Sequence, residues 1–252
     1  MKKGILIINN PRSGRNKNNK ELSDALEVFS KHGYSVNLMN TTKSGDATEY
    51  AKSFNSDYDI VICRGGDGTF CETLNGLMTL ENKPDIGFLP AGTTNDLAAT
   101  LNLSVQSKKA AEFIMTNPAM PCDIGTFNGR YFTYVASFGA FTRCAYATPQ
   151  KLKNKIGRLA YFYGAAKDVK DIKSIPMRCI IDGEEITGKF MFGSISNART
   201  VGKIIHLDES KACLNDGKYE VLLAENPGTV KGWLELAESV FSNVISGLAV
   251  SE

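Results

Sequence analysis

Across residues 3–115, short apolar runs alternate with amphipathic stretches, and the runs break off in turns rich in glycine, asparagine and threonine. Lys3 to Asn9 reads as a buried strand ending in Asn10-Pro11-Arg12-Ser13-Gly14. Leu22, Ala25, Leu26 and Phe29 then recur at the spacing of one helix face. Ser35 to Met39 predicts a second strand, and Ala47, Tyr50, Ala51 and Phe54 a second helix. A third strand, Asp59 to Cys63, runs into Gly65-Gly66-Asp67-Gly68-Thr69 and a helix with Phe70, Leu74, Leu77 and Met78 on one side. Ile86 to Leu89 predicts a fourth strand, closed by Pro90-Ala91-Gly92-Thr93-Thr94-Asn95-Asp96, and two short helices reach Met115. This alternation specifies βαβ units and a parallel sheet covered on both faces. Ligands of such sheets bind at the carboxyl ends of the strands, and the turn-rich loops here all follow strands. They therefore converge on one edge.

After Asn117-Pro118 the texture changes. Pro121 to Thr126, Tyr131 to Ser137, Met177 to Ile181, Lys189 to Ser196 and Tyr219 to Leu223 read as strands, with Asp182-Gly183 as a tight turn between two of them. A helix is expected around Lys151 to Lys170, and Val230, Leu234, Ala237, Phe241 and Val244 keep helical period. The expectation is an α/β protein with two domains: residues 1–120, a parallel-sheet domain, and residues 121–252, a mainly antiparallel β domain.

Composition narrows the function. With 42% hydrophobic and 22% charged residues the 252-residue chain is globular in type, and a net charge of +2 gives no general pull toward nucleic acid. No stretch approaches the length of an apolar membrane span, and Met1-Lys2-Lys3 leads into too few apolar residues for a signal peptide. Of six cysteines, none in a C-x-x-C pair, several read as small buried hydrophobes, which fits a reducing cytoplasm. Between Gln150 and Lys173, seven basic residues face only Asp168 and Asp171. This segment is either a solvated helix face or a contact with anionic lipid headgroups, Leu152, Ile156 and Phe162 entering the surface beside the lysines.

Gly65-Gly66-Asp67-Gly68-Thr69 places three glycines in five positions between a strand and a helix. Such a loop lets a ligand reach main-chain N–H groups, and the helix that follows suits phosphate. A carboxylate in its centre repels phosphate unless a Mg²⁺ ion stands between them, so Asp67 is either a metal-organising residue or a helix cap. Gly92-Thr93-Thr94-Asn95-Asp96 is a second loop of the same character, in which Asn95 or Asp96 could also serve as a cap. Asn10 to Gly14 with Arg15 and Lys17, and Thr41-Thr42 with Gly45-Asp46, are weaker polar clusters. G-x-x-x-x-G-K-[ST] and H-R-D are both missing, which excludes P-loop and protein-kinase chemistry. His32 and His206 are the only histidines, leaving little for a His-based triad, and His32, before Gly33, reads as a surface residue.

Taken together, Asn10-Pro-x-Ser13-Gly14, Thr42 with Gly45-Asp46-Ala47, Gly65-Gly-Asp-Gly-Thr69 and Pro90-x-Gly92-Thr93-x-Asn95-Asp96 resemble, in this order, the diacylglycerol kinase catalytic domain family, which includes soluble bacterial diacylglycerol kinases and YegS-like lipid kinases. The likeness extends to Asp123-Ile-Gly125, Gly157-Arg-Leu159-Ala-Tyr161 and Ala212-x-Leu214-Asn-Asp216-Gly217. It implies a nucleotide-binding α/β domain followed by a β-sandwich lipid-substrate domain, with ATP bound between them and its γ-phosphate passed to a lipid hydroxyl. By the same resemblance Asn10, Pro11, Arg12, Ser13, Gly14, Thr42, Gly65, Gly66, Asp67, Gly68, Thr69, Phe70, Cys71, Gly92, Thr93 and Asn95 would contact nucleotide. Asp67 and Asp96 would be catalytic, organising Mg²⁺ and phosphates, with Asp123 nearby in the acidic network. Cys213, Asp216 and Lys218 would hold a structural Mg²⁺, the first and last through carbonyls.

Similar bacterial proteins carry a catalytic Glu in a late Asp-Gly-Glu segment. This sequence ends at Ser251-Glu252 without one, and Asp182-Gly183-Glu184 falls where a hairpin turn is expected. A glycine run common in relatives after Asn197 is replaced by Arg199-Thr200-Val201-Gly202-Lys203. The reading is therefore a cytoplasmic, peripherally membrane-associated lipid kinase using ATP and Mg²⁺, homodimeric by default. The alternatives are a weakly active or non-catalytic nucleotide- or lipid-binding member, and, further off, an NAD kinase.

Overall fold

The computed structural model describes residues 3–14, 19–140, 172–197, 200–201, 205–206, 214–229, 232 and 250–251. The helices expected over Lys151 to Lys170 and Val230 to Val244, most of the basic segment, the Gly157 to Tyr161 motif and Cys213 lie outside these residues. Contacts divide the chain into two compact units, residues 1–133 and 134–252.

The first unit is the expected α/β layer structure. Strands β1 (Lys3–Asn9), β2 (Tyr34–Asn40), β3 (Ile60–Gly65) and β4 (Asp85–Pro90) form a parallel sheet in the order β2-β1-β3-β4. Helices α1 (Asn19–Lys31) and α5 (Ser107–Thr116) cover one face, and α2 (Asp46–Lys52) and α3 (Asp67–Leu77) the other; α4 (Asp96–Thr100) follows β4. Successive strand residues point to opposite faces, so Ile5, Ile7 and Ile62 pack with Ala25, Val28, Phe29 and Ala110, while Leu6, Ile8 and Val61 pack with Ala47, Ala51 and Leu77. Burying each large side chain contributes roughly 1.5–3 kcal/mol, which explains why β1 and β3 read as unbroken apolar runs.

The strand predicted over Pro121 to Thr126 shortens to β5 (Gly125–Phe127), paired antiparallel with β6 (Arg130–Phe132). This hairpin docks on α3: Asn75 Oδ1 accepts from Tyr131 N at 2.9 Å and Asn75 Nδ2 donates to Tyr131 O at 2.9 Å. That packing carries the first unit past the change of texture to Thr133.

In the second unit β9 (Glu184–Ser196) pairs antiparallel with β8 (Ile175–Ile181), β12 (Glu220–Glu225) and β7 (Val135–Gly139), and β13 (Val250–Ser251) adds to β12. A separate two-stranded ribbon joins β10 (Thr200–Val201) to β11 (Ile205–His206). The stretch Tyr131 to Ser137, read as one strand, is two, because Thr133 and Tyr134 break the ladder between β6 and β7. Asp182 and Gly183 both have positive φ (49° and 88°), as a two-residue hairpin turn requires, and Glu184 opens the return strand, exposed. His32 is exposed at the end of α1, where Nδ1 meets Val28 O at 3.0 Å. Among the described residues no helix is long and apolar enough to cross a membrane.

Candidate functional site

The chain leaves β1 to one side for β2 and returns on the other side for β3, so the topological switch point of the sheet lies between β1 and β3. A crevice is expected there, outside the carboxyl ends of the strands. A cleft of about 440 Å³ occupies that edge. Its walls are Asn10, Arg12, Ser13 and Gly14 after β1; Thr41, Thr42, Lys43 and Ser44 after β2; Gly66, Gly68, Thr69 and Glu72 after β3; and Gly92 and Thr93 after β4.

Hydrogen bonds between side chains and backbone hold these walls together. Asn10 N donates to Arg64 O at 2.8 Å, and Asn10 Nδ2 to Thr69 Oγ1 at 3.0 Å, joining the first wall to the third. Asp67 Oδ1 accepts from Leu97 N at 3.0 Å and Oδ2 from Asp96 N at 3.2 Å, so Asp67 caps α4 from across the cleft edge and ties residues 65–69 to residues 92–97. Asn95 folds back on its own loop, accepting from Gly92 N at 2.8 Å and donating to Gly92 O at 2.9 Å. Glu72 reaches the second wall, accepting from Ser44 Oγ at 2.8 Å and Gly45 N at 3.0 Å. Asp46 Oδ2 accepts from Thr42 N, Thr42 Oγ1 and Lys43 N, and these bonds hold its carboxyl below the usual carboxylate range.

Two glycines make the close approach of the third and fourth walls possible. A Cβ on Gly92 would lie 2.6 Å from Gly66 Cα and 2.7 Å from Asn95 Oδ1, so no larger residue fits there without moving backbone. Helix α3 begins at extended Gly66 without a side-chain cap, so its first-turn amides and partial positive charge are directed at this edge. The cleft thus presents main-chain N–H groups, hydroxyls and the cations of Arg12 and Lys43, while its one lining carboxylate, Glu72, is engaged with Ser44 and Gly45. That is a surface for an anion with many oxygen acceptors.

A sequence model of the diacylglycerol kinase catalytic domain matches residues 4–127. Diacylglycerol kinase of Bacillus subtilis (strain 168) is 36% identical over 219 residues, 86% of this chain and 72% of that protein. The chain belongs to the diacylglycerol kinase family. Diacylglycerol kinase of Staphylococcus aureus (strain MRSA252) is 34% identical over 229 residues, covering 89% of this chain and 71% of that protein. The crystal structure of a diacylglycerol kinase from Bacillus anthracis str. Sterne shares the fold with a TM-score of 0.72 at 24% identity, over 95% of this chain and 77% of that one. Membership places the chain among lipid kinases, for which ATP and a divalent metal are the expected co-reactants.

Of the residues the family resemblance pointed to, Asn10, Arg12, Ser13, Gly14, Thr42, Gly66, Gly68, Thr69, Gly92 and Thr93 line the cleft. Pro11, Gly65, Phe70, Cys71 and Asn95 are not among its lining residues. Phe70 is buried edge-on against Phe88, with centroids 5.1 Å apart, and Cys71 Sγ donates to Tyr131 O at 3.4 Å. Gly65 and Asn95 shape the loops from beneath: Gly65 O accepts from Ala91 N at 2.7 Å, and Asn95 is 8% exposed. Burial raises the thiols of Cys71 and Cys122 and pushes Cys63 up to about 12, so none of the three is a thiolate nucleophile at neutral pH. Neither Asp67 nor Asp96 is a lining residue: Asp67, between Gly66 and Gly68, turns its carboxylate to the α4 amides, and Asp96 is buried; Asp123, half-buried beside Cys122, does not line the cleft either. Asp216 Oδ1 accepts from Lys218 N at 3.0 Å in an exposed turn. Among the described residues no three His, Cys, Asp or Glu side chains gather as a metal cluster.

Sequence reasoning missed Lys43, Ser44 and Glu72 as wall residues and noted Thr41 only within a polar cluster. For Glu72 a signal existed: it lies three and four residues beyond Thr69 and Gly68 on α3, which places it on their face of the helix.

Proposed function

We propose that the chain transfers the γ-phosphate of ATP to the free hydroxyl of a diacylglycerol-like lipid. The observation that carries this reading is the cross-bonding of residues 65–69 to 92–97 through Asp67, which leaves a glycine- and hydroxyl-lined cleft at the switch point of the sheet. Phosphoryl transfer needs mainly positioning and charge stabilisation, and amides, hydroxyls and fixed cations supply both.

The cleft residues fit a triphosphate. Gly66 and Gly92 admit close approach to main chain, Ser13, Thr69 and Thr93 offer hydroxyls, and Arg12 and Lys43 offer charge. The donor set also fits Mg²⁺, which needs only one or two carboxylates when phosphates complete its shell: Asp67 would supply one hard oxygen donor, and Asp96, whose backbone N–H it accepts, is the candidate for a second. Bound there, Mg²⁺ would neutralise phosphate charge. The chain's own part is to hold Asp67 in place through the α4 amides, to keep the wall loops closed, and to present donors along the phosphates.

The test is a transfer assay with labelled ATP, Mg²⁺ and diacylglycerol in mixed micelles, alongside calorimetric ATP binding and an arm with NAD as acceptor. Labelled phosphatidic acid is the expected product. Tight ATP binding without turnover would favour a non-catalytic member of the family, phosphorylated NAD would favour an NAD kinase, and no ATP binding would remove the cleft reading.

A further inference from the structure

A charged side chain outside the cleft lining interrupts the apolar run of β3. Arg64 follows Ile62 on the face covered by α1 and α5, stands in register with Asn9 of β1 and Leu89 of β4, and is only 8% exposed. Its Nη1 donates to Asn9 Oδ1 at 3.0 Å, and Asn9 Nδ2 donates to Asn40 Oδ1 at 2.6 Å. Asn40, Asn9 and Arg64 thus form one polar row across three strands, directly above the apolar core of that face.

The stems of two cleft walls hang from this row. Asn10 N donates to Arg64 O, and Thr41 N donates to Asn9 O, both at 2.8 Å. Arg64 also immediately precedes Gly65 and Gly66. Among the described residues Arg64 takes part in no ion pair, and its Nε is buried without a hydrogen-bond partner. Glu21 on α1 acts on it at longer range and is itself engaged, accepting from Ser107 N at 3.2 Å and Ser107 Oγ at 3.0 Å. Burial pulls the guanidinium down from its ordinary value, yet a guanidinium stays charged at neutral pH. A buried, unpaired charge opposes folding, and an aliphatic side chain at this place would extend the Ile62–Leu89 core. The cation is therefore explained by what it does for an anion.

We infer that Arg64 is a positioning residue for the nucleotide phosphates: its side chain holds Asn9, from whose carbonyl the Thr41 stem hangs, and it supplies a buried positive charge at the base of the glycine loop. The inference rests on the nucleotide reading above. The charge acts through the low-dielectric interior, so its effect grows with the negative charge of the ligand.

Calorimetric titration of the full chain with ATP and with AMP, for the unmodified protein and for Arg64→Met, Arg64→Gln and Arg64→Lys, tests it, with Tm measured for each. Loss of a charge-assisted arrangement predicts about tenfold weaker ATP binding in the Met and Gln variants. AMP binding should weaken by less than about threefold, and Arg64→Lys, keeping the charge, should hold ATP affinity within about threefold. If Arg64→Met does not fold, the Gln and Lys variants carry the same comparison. Equal losses for ATP and AMP, equal losses in Lys and Met, or unchanged ATP affinity in the neutral variants would each overturn the inference. No ATP binding by the unmodified chain would instead sink the nucleotide reading itself, and this inference with it.

Discussion

The two sheets solve burial differently, and only one of them builds a site that motifs can spell. The parallel sheet of the first unit is covered on both faces, so β1 and β3 are apolar almost throughout and polar work gathers at their carboxyl ends, in the row from Asn40 through Asn9 to Arg64 and in the loops beyond. The antiparallel sheet of the second unit alternates along β8, with Ile180 62% exposed and Ile175 40% exposed. In the first unit, function depends on main-chain groups brought close together, which glycine permits. In the second, a broad surface of side chains has no comparable local code.

That contrast can be broken first through stability. Phe29, fully buried under the parallel sheet, should cost about 3–5 kcal/mol when replaced by alanine, whereas Ile180→Thr on the open strand should stay within about 0.5 kcal/mol. Urea unfolding measures both, and similar losses would remove the distinction. Asp67 comes next. Asp67→Ala removes the acceptor for Asp96 N and Leu97 N and the proposed metal-facing charge, so transfer should fall by about a hundredfold or more and stability by about 1 kcal/mol. Asp67→Asn keeps one of the two acceptor oxygens, so it should lose less Tm than Asp67→Ala while losing as much activity; full activity in the Asn variant would leave Asp67 a cap alone.

Smaller effects sharpen the picture of the loops. Gly92→Ala forces backbone apart and should destabilise by about 1–3 kcal/mol, while Gly45→Ala, in open space but at φ +90°, should lose only about 1 kcal/mol of backbone strain. Thermal melts that rank them in the opposite order would contradict the close approach of Gly66 and Gly92. The least effect should come from pH. The Asp46 carboxyl is depressed by its three donors, so its contribution is fully present above its ordinary value of 3.8 and disappears as pH falls through the lower folded value. The protection of amides 42–46, taken relative to their intrinsic exchange rates, should fall on acidification, and Asp46→Asn should remove that pH dependence.

Strands β1, β3 and β4 were legible as largely buried runs and the edge strand β2 by its alternation, all bounded by turn formers, and the observed spans match the expected ones to within two residues at each end. The loops after β3 and β4 were legible because their glycines are local. Less visible were contacts that join distant segments: Glu72 to Ser44, 28 residues apart, and Asn75 to Tyr131, 56 apart. No periodicity encodes such a pair. Arg64 escaped for a related reason, since only the register of β1, β2 and β3 shows that it continues a row from Asn9 and Asn40. Asp67 had two readings in sequence, metal or cap, and the structure shows the capping bonds while leaving its carboxylate beside Asp96.

The central claim, that the loops at the carboxyl edge of the parallel sheet cradle a nucleotide, is tested most directly by hydrogen exchange with and without ATP and Mg²⁺. Amides of residues 10–14, 41–45, 65–70 and 91–97 should gain protection together, while those of β8 in the second unit remain unchanged. Unaltered exchange in the glycine loops at saturating ATP, or protection centred on the antiparallel sheet, would contradict it.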